Sequence, residues 1–271
     1  MTNQLLDLTG SVALVTGGNS GIGRSIALTY AKAGAAVAIV GRNPEKNAGV
    51  LAELQALGAQ SIAIKLDISN RAEIEPAVQQ VERELGAISI LVNNAGTGAA
   101  GGVLTLDFAD WDRVMETNLT APFAFSRCLA PSMTALGRGK IINIASASAF
   151  YGYVRLTAYA VSKAALLHLT KCIAVELGPF NVQTNAIVPG WTETDMAERM
   201  KQSPMYPRTL ELTPAGRWAV PQDIANTALF LASHASDYMN GATLVVDGGM
   251  TLTYAADGGN AGLGADAPTA E

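Results

Sequence analysis

A tyrosine, a lysine and a serine are spaced in the sequence in a pattern suited to proton transfer. Tyr159 and Lys163 are four residues apart in a segment with helical spacing, so their side chains share one face of a helix. Ser146 closes a predicted strand just before that helix. A free tyrosine has a pKa of ~10, and a neighbouring ammonium favours the phenolate and lowers that pKa. The three residues predict a tyrosine that acts as acid and base, beside a serine hydroxyl that holds the substrate oxygen.

A glycine-rich stretch near the N-terminus predicts a phosphate-binding loop. It follows the first predicted strand and leads directly into a helix, so a bound pyrophosphate would meet the helix N-terminus. Its candidate cofactor contacts are Gly17, Asn19, Ser20, Gly21, Ile22 and Gly23. Taken alone, Tyr159 and Lys163 are typical of an exposed surface pair, but a phosphate loop upstream favours the catalytic interpretation.

The residue after the second predicted strand indicates which dinucleotide the loop would bind. An acidic residue there would accept hydrogen bonds from a ribose 2′-hydroxyl, whereas this chain has Arg42, which can pair with a 2′-phosphate. We therefore favour NADP(H) and keep NAD(H) as possible. Asp67 and Ile68 end the third strand, where the Asp67 carboxylate either reaches the adenine amino group or caps the next helix.

Apolar β-branched runs alternate with helical segments through most of the chain. The predicted strands cover residues 12–16, 36–40, 61–66, 88–93, 140–145, 181–188 and 243–247. The predicted helices cover residues 22–33, 44–57, 71–85, 108–136, 157–177 and 221–232. Strands that are apolar throughout are covered on both faces. The alternation predicts an α/β fold, a single Rossmann-type doubly wound sheet of seven parallel strands with helices on both faces.

Composition limits the remaining possibilities. The 271 residues suit one domain, which we place at residues 1–250, and a net charge of −5 without a basic run argues against nucleic acid or a membrane as partner. The N-terminus has no signal-peptide pattern, which predicts a cytoplasmic protein. Two cysteines, Cys128 and Cys172, could form a disulfide on count alone, but both lie in apolar helical segments, so we expect two buried free thiols. We predict no metal site.

Two segments interrupt the alternation. Residues 190–214 are polar, contain three prolines and carry several methionines, which suggests either a substrate lid or a loose insertion. Residues 251–271 are rich in Gly, Ala and Asp, so we expect a weakly packed tail, with contact across a neighbouring subunit as the alternative.

Together these motifs resemble the short-chain dehydrogenase/reductase superfamily. Its marks occur in order as Thr16-Gly17 to Gly23, Asn93-Asn94-Ala95-Gly96, Asn118, Ser146, Tyr159-Ala-Val-Ser-Lys163 and Pro189-Gly190, over about residues 7 to 250. The resemblance implies that Tyr159 is the general acid/base, that Lys163 lowers its pKa and holds the nicotinamide ribose, and that Ser146 orients the substrate. It also implies that Asn118 holds a water linking Lys163 to solvent.

The resemblance extends to the remaining cofactor contacts. Asn93 and Gly96 would line the adenosine side, and Thr192 and Thr194, after Pro189 and Gly190, would meet the carboxamide and phosphates. NADP-preferring members often carry a second basic residue where this chain has Ser20, so Arg42 is expected to act alone. Thr213-Pro-Ala-Gly-Arg-Trp218 resembles bacterial gluconate and 2-deoxygluconate dehydrogenases, and 3-oxoacyl carrier-protein reductases are also similar.

The residues expected around the reacting carbon are mostly apolar. The candidate pocket residues are Ser148, Phe150, Tyr153, Trp191, Met196 and Met200. Such side chains form an adaptable pocket that suits a ketone with apolar bulk, although they could equally be ordinary core residues. An apolar pocket conflicts with the resemblance to gluconate and 2-deoxygluconate dehydrogenases, which act on sugar acids.

The sequence also predicts an assembly and an activity, and the activity has two alternatives. The 157–177 segment is apolar nearly all round and 108–136 is similar, so a second apolar face needs a partner and a homotetramer is expected. The expected activity is NAD(P)H-dependent interconversion of a ketone and a secondary alcohol. The alternatives are a 3-oxoacyl thioester reductase, or a nucleotide-sensing regulator that has lost turnover.

Overall fold

Seven parallel strands form one sheet in the computed structural model, which describes residues 4–152 and 154–256. The strands are β1 (Val12–Thr16), β2 (Ala36–Gly41), β3 (Ser61–Lys65), β4 (Ile90–Asn93), β5 (Gly139–Ile144), β6 (Val182–Pro189) and β7 (Thr243–Val246). Their order across the sheet is β3-β2-β1-β4-β5-β6-β7. The order reverses between β1 and β4, and such a switch point opens a crevice at the carboxyl ends of the strands. The predicted fold class is confirmed.

Helices cover both faces of the sheet. They are α1 (Gly21–Lys32), α2 (Pro44–Ala56), α3 (Ile74–Leu85), α4 (Phe108–Met115), α5 (Ala121–Leu136), α6 (Thr157–Leu177), α7 (Glu198–Lys201), α8 (Tyr206–Glu211), α9 (Pro221–Ala232) and α10 (Met250–Ala256). Helices α1, α2 and α9 pack on one face, and α3, α5 and α6 pack on the other. Strands β1, β4, β5 and β6 are buried along their whole length, as their mostly apolar runs predict.

The predicted helix over residues 108–136 is confirmed in its bounds, but it is not a regular α-helix along its whole length. A π-helical turn, Glu116–Thr120, separates α4 from α5 and carries the buried Asn118. Pro122 follows directly and has no N–H to donate to the carbonyl of Asn118, which breaks the regular hydrogen-bond ladder at this point. This π turn contains Asn118, whose side chain is buried inside the fold.

The two segments that interrupt the alternation are partly helical. Residues 190–214 contain a 3-10 turn, Asp195–Ala197, together with α7 and α8. The tail was expected to start at residue 251 and to pack weakly, but α10 crosses that boundary. Asp247 accepts hydrogen bonds from the backbone of Gly249 and Thr251, and this caps the start of α10. Residues 257–271 lie outside the described residues.

Both cysteines are free thiols, as expected, but only one is shielded. Cys128 is partly buried, whereas Cys172 is exposed, so the expectation of a buried thiol at Cys172 is wrong. The apolar segment around Cys172 extends round the whole helix, and only one face of that helix packs on the sheet.

The segment Thr157–Phe180 is long and apolar enough to cross a membrane on length and composition alone. Half of its most apolar window is buried inside the fold, and α6 packs against β6 and carries Tyr159 and Lys163. Because core helices share these properties, the segment is accounted for by its packing.

Candidate active site

The glycine-rich turn between β1 and α1 has the shape of a phosphate cradle. Gly17 and Gly21 have φ values of 64° and 49°, a backbone region that favours glycine. A Cβ atom on Gly23 would lie 2.2 Å from the carbonyl oxygen of Gly17, so only glycine fits there. Ser20 precedes the helix and its side chain makes no capping hydrogen bond, which leaves the first N–H groups of α1 facing the loop. These features fit a pyrophosphate.

The loop after β4 is fastened to the phosphate loop by hydrogen bonds. The Asn94 amide donates to the carbonyl oxygens of Thr16, at 2.9 Å, and Gly17, at 3.2 Å. The Thr16 hydroxyl accepts from the backbone N–H of Asn94 and Ala95. A Cβ on Gly17 would lie 2.9 Å from Ala95 Cα, so the two loops touch. The next glycine, Gly96, is therefore fixed relative to the cradle.

Gly96 lies between the phosphate loop and the predicted catalytic residues. A Cβ on Gly96 would lie 3.4 Å from Asn118 Oδ1 and 3.5 Å from Lys163 Nζ. A Cβ on Gly98 would lie 3.9 Å from Tyr159 Cδ2. The glycine-rich backbone thus runs along the catalytic side chains, and the crevice at the switch point reaches them.

Tyr159 and Lys163 face each other from successive turns of α6. The Lys163 Nζ lies 5.8 Å from the centroid of the Tyr159 ring, and Lys163 is 4% exposed. Its ammonium donates a hydrogen bond of 2.8 Å to the carbonyl oxygen of Ile144, the last residue of β5. The predicted shared helix face therefore brings the two groups together beside the cleft.

Burial sets the protonation of this pair. Burial raises the pKa of Tyr159 above its ordinary value, and hydrogen bonding with the Ser146 side chain opposes that rise. Burial also lowers the pKa of Lys163 from 10.5 to about 8. The expected lowering of the Tyr159 pKa by Lys163 is not what the protein groups produce by themselves, because desolvation of the phenolate outweighs the other effects. At neutral pH the pair is a phenol beside an ammonium.

Ser146 and Ser148 form a small hydroxyl cluster at the carboxyl end of β5. Ser148 donates to the Ser146 hydroxyl oxygen through its own hydroxyl, at 3.0 Å, and through its backbone N–H, at 3.3 Å. Neither bond uses the Ser146 hydroxyl hydrogen, so Ser146 can donate it to Tyr159 or to a substrate oxygen beside Tyr159. Ser148 is buried, so it supports Ser146 from behind.

Asn118 is held by three hydrogen bonds to the protein. Its amide donates to the Thr97 carbonyl oxygen and to the Ser162 hydroxyl, and its Oδ1 accepts from the Thr97 N–H at 2.8 Å. Ser162 in turn donates to the carbonyl oxygen of Tyr159 at 2.7 Å. The π turn thereby fixes the loop after β4 against α6. The water-holding role implied for Asn118 stays a prediction.

At the adenosine end, two of the predicted cofactor residues point into the protein. Asn93 is 2% exposed and its amide donates to Asn143 Oδ1, so its side chain does not line the cleft. The Ile68 side chain is packed in the core between the sheet and α3. Any contact of these two residues with a nucleotide would be through the backbone. Asn93 is the last residue of β4, and successive strand residues alternate in direction, which the sequence alone does not assign to a face.

Asp67 and Arg42 are placed together. The Asp67 carboxylate accepts from the backbone N–H and hydroxyl of Ser69 and lies 3.6 Å from Arg42 Nη1. Burial acts to raise the pKa of Asp67, but hydrogen bonds from Ser69 and the Arg42 charge leave that pKa below its ordinary value. The expected helix cap is not formed: Asp67 bonds to Ser69 in the turn before Asn70, which is the N-cap residue of the next helical turn. The adenine contact stays a prediction.

The first residues of the segment 190–214 contact both the chain just after β7 and the phosphate loop. Gly190, after Pro189, has no space for a side chain, because a Cβ would lie 2.9 Å from Asp247 Cα. Thr192 is buried and donates to the Gly190 carbonyl oxygen. A Cβ on Gly21 would lie 3.0 Å from Thr194 Cγ2. Thr194 thus reaches the phosphate loop, as a phosphate contact requires.

The predicted substrate residues are only partly brought together. Trp191 packs with residues around Ala147 and stacks on Trp218 at 5.2 Å between ring centroids. Met200 is half-buried and its sulfur accepts from the Ser203 hydroxyl. Phe150 and Met196 are 48% and 64% exposed, so the structure does not place them in a closed pocket. Tyr153 lies outside the described residues.

Several residues at the site were not expected from the sequence. Thr16 and Ser162 join the loops around the cleft, and both lie inside motifs already noted, so their positions were a usable signal. Asn47 is buried, accepts from the Asn19 amide at 2.7 Å and donates to the Gly41 carbonyl oxygen. The ion pair between Lys46 and Asp195 joins residues 149 apart in the chain, and no sequence pattern announces it.

Comparisons with known proteins agree with this geometry. The family model described as enoyl-(acyl carrier protein) reductase, which is of the short-chain dehydrogenase/reductase type, matches residues 17–251. Gluconate 5-dehydrogenase of Gluconobacter oxydans is 36% identical over 250 residues, 92% of this chain and 98% of that protein. The 7alpha-hydroxysteroid dehydrogenase of Escherichia coli is 38% identical over 244 residues, 90% of this chain and 95% of that protein.

A solved structure gives the same result. The gluconate 5-dehydrogenase of Burkholderia cenocepacia, in complex with NADP and tartrate, superimposes with a TM-score of 0.88 at 36% identity. The match covers 92% of this chain and 98% of that one.

Proposed function

The chain belongs to the short-chain dehydrogenase/reductase superfamily, and from this premise we propose that Tyr159 is its catalytic acid and base. The enzyme is an NAD(P)-dependent oxidoreductase that interconverts a ketone and a secondary alcohol. The observation that carries the proposal is the position of Tyr159, whose ring faces the buried Lys163 ammonium beside the glycine-rich cleft. A bound nicotinamide coenzyme supplies or accepts the hydride.

The protein groups divide the proton chemistry among them. Tyr159 rests as a phenol, which is the form that donates a proton to a ketone oxygen during reduction. The Ser146 hydroxyl holds that oxygen, and the Lys163 charge stabilises the phenolate left behind. In the oxidation of an alcohol, Tyr159 accepts the proton and must first be deprotonated.

The cofactor is proposed to be NADP(H), with NAD(H) possible. Support comes from the glycine cradle, from the basic Arg42 after β2 and from the NADP-bound relative. Gly17, Gly21, Gly23 and the first turn of α1 would hold the pyrophosphate, and Thr194 would close over it. Arg42 would have to exchange Asp67 for the 2′-phosphate.

Two classes of substrate have support. Relatives of similar identity act, by their names, on a sugar acid or on a hydroxysteroid. The exposed apolar side chains of Phe150 and Met196 support a ketone with apolar bulk. Neither alternative, a thioester reductase or a regulator without turnover, is supported by a feature of this chain.

The assembly is proposed to be a homotetramer in the cytoplasm. Apolar side chains remain exposed on α5 and α6, namely Phe123, Leu136, Val161 and Val175. A second copy of the chain would cover them, and closed symmetry then favours an even number of subunits.

Spectrophotometry tests the proposed function. Purified enzyme is mixed with NADPH or NADH and a panel of sugar-acid ketones, steroid ketones and acyl thioesters, and the loss of reduced nicotinamide is followed. We expect turnover with at least one ketone and a preference for NADPH. Tight binding of the cofactor with no turnover on any carbonyl would contradict the proposal and favour a regulator. Turnover on thioesters alone would favour the carrier-linked alternative.

A further inference from the structure

Three basic side chains around the adenosine end of the cleft are each paired with a carboxylate. The pairs are Arg24–Glu53, Arg42–Asp67 and Lys46–Asp195. The first joins helices α1 and α2, and the second joins the ends of β2 and β3. The third is different, because it joins α2 to the 3-10 turn that follows Thr194. It is the pair that ties residues 190–214 to the nucleotide side of the cleft.

The Lys46–Asp195 pair borders a cavity beside the phosphate loop. Lys46 Nζ lies 2.6 Å from Asp195 Oδ2, and the two side chains are 50% and 76% exposed. The cavity measures about 320 Å³ and is lined by both residues and by Asn19, Ser20 and Gly21. Lys46 therefore faces the same space as the loop that fits the cofactor phosphates. Arg42 lies at the end of β2, four residues earlier.

The Asp195 carboxylate lines the cavity beside the phosphate loop, where the phosphate groups of the cofactor would bind. Thr194, the residue before it, contacts the phosphate loop at Gly21. The hydrogen bond from Lys46 lowers the pKa of Asp195, so its carboxylate is charged at neutral pH. An exposed pair of this kind is weak, and a phosphate monoester carries nearly two charges. A 2′-phosphate would therefore compete well for Lys46.

We propose that Lys46 is a second recognition residue for the 2′-phosphate of NADP(H), and that Asp195 is the internal carboxylate it exchanges for that phosphate. The inference rests on the proposed nucleotide-binding function. It supplies the second basic residue that the sequence lacks at Ser20. It also couples cofactor identity to residues 190–214, because the 3-10 turn is released from α2 when the phosphate takes Lys46.

Calorimetric titration of NADPH and NADH into three variants tests this exchange. Lys46→Gln removes the cation, Asp195→Asn removes the competing charge, and Lys201→Gln is a matched control. Lys201 is also an exposed lysine paired with a carboxylate of the same segment, Glu193, at 2.9 Å, but it does not line this cavity.

We expect Lys46→Gln to weaken NADPH by about tenfold, the equivalent of one charge-assisted hydrogen bond, and to leave NADH within about twofold. Asp195→Asn should tighten NADPH and leave NADH unchanged, and Lys201→Gln should change neither. The loss of NADPH affinity with added KCl should be steeper in the wild type than in Lys46→Gln.

Other outcomes separate this inference from the proposed function. Equal weakening of both cofactors in Lys46→Gln, or no weakening, overturns the role of Lys46 while the enzyme still binds nucleotide. Weaker NADPH binding in Asp195→Asn overturns the competition. Failure of the wild type to bind either cofactor overturns the proposed function itself.

Discussion

Two buried lysines lie at opposite ends of strand β5 in opposite electrostatic surroundings. Lys140, near the amino end, is 8% exposed and its Nζ lies 2.7 Å from Asp237 Oδ1. Lys163 meets the carboxyl end of the strand through the Ile144 carbonyl oxygen, and no carboxylate pairs with it in the part of the chain that the structure describes. Burial of that unpaired charge lowers its pKa to about 8.

The difference separates a structural lysine from a chemical one. The field of Lys140 is largely cancelled by Asp237, so Lys140 ties β5 to the 3-10 turn His234–Ser236 and its neighbour Asp237. The field of Lys163 is not cancelled and acts on the phenol beside it. Burying the unpaired Lys163 ammonium is energetically unfavourable. It lies at the carboxyl edge of the sheet, which is the edge where ligands bind in parallel sheets.

Replacing each lysine with methionine is expected to give the largest contrast. Lys163→Met keeps the length and packing of the side chain and removes the charge, so kcat for ketone reduction should fall by about 10³-fold. Lys140→Met also removes a buried charge, one that is paired with Asp237, and should leave kcat within about twofold. Steady-state kinetics at saturating cofactor measures both. A similar loss of kcat in the two variants would remove the distinction between the two ends of β5.

The pH dependence of stability is a smaller and independent effect of Lys163. Its pKa is about 8 in the folded chain and near 10.5 when unfolded, so between these values the unfolded state binds more protons and stability rises with pH. Relative to Lys163→Met, the wild type should gain about 2 kcal/mol between pH 7 and pH 10. Urea unfolding at equal protein concentration measures the gain. A constant difference between the two proteins over this range would show that Lys163 is not desolvated.

The sequence is sufficient for the elements that position the site. The mostly apolar runs predict all seven strands, and four of these strands are buried along their whole length. The Tyr159–Lys163 spacing gives the shared helix face directly. Ser146 and the glycine loop follow from their places at strand ends. These are local patterns, and local patterns are what a sequence displays.

What the sequence could not supply depends on burial and on distant contacts. A neighbouring lysine suggested a lowered Tyr159 pKa, but the direction is set by desolvation, which only the packed structure reveals. Residues 108–136 have helical spacing throughout and predict one helix, whereas Pro122 is a local sign of the π turn at Asn118. Asn93 was expected to line the adenosine side, and only the packed structure reveals that its side chain is bonded to Asn143.

The most direct test of the account is the loss of one hydroxyl group from Tyr159. Tyr159→Phe removes the proton donor and keeps the ring against Lys163, so ketone reduction should fall by at least about 10³-fold while the Kd for NADPH stays within about twofold. Tyr30→Phe is the matched control, because it also removes a buried phenol hydroxyl, one that donates to the Ala228 carbonyl oxygen away from the cleft. Undiminished turnover in Tyr159→Phe would contradict the proposed acid/base role.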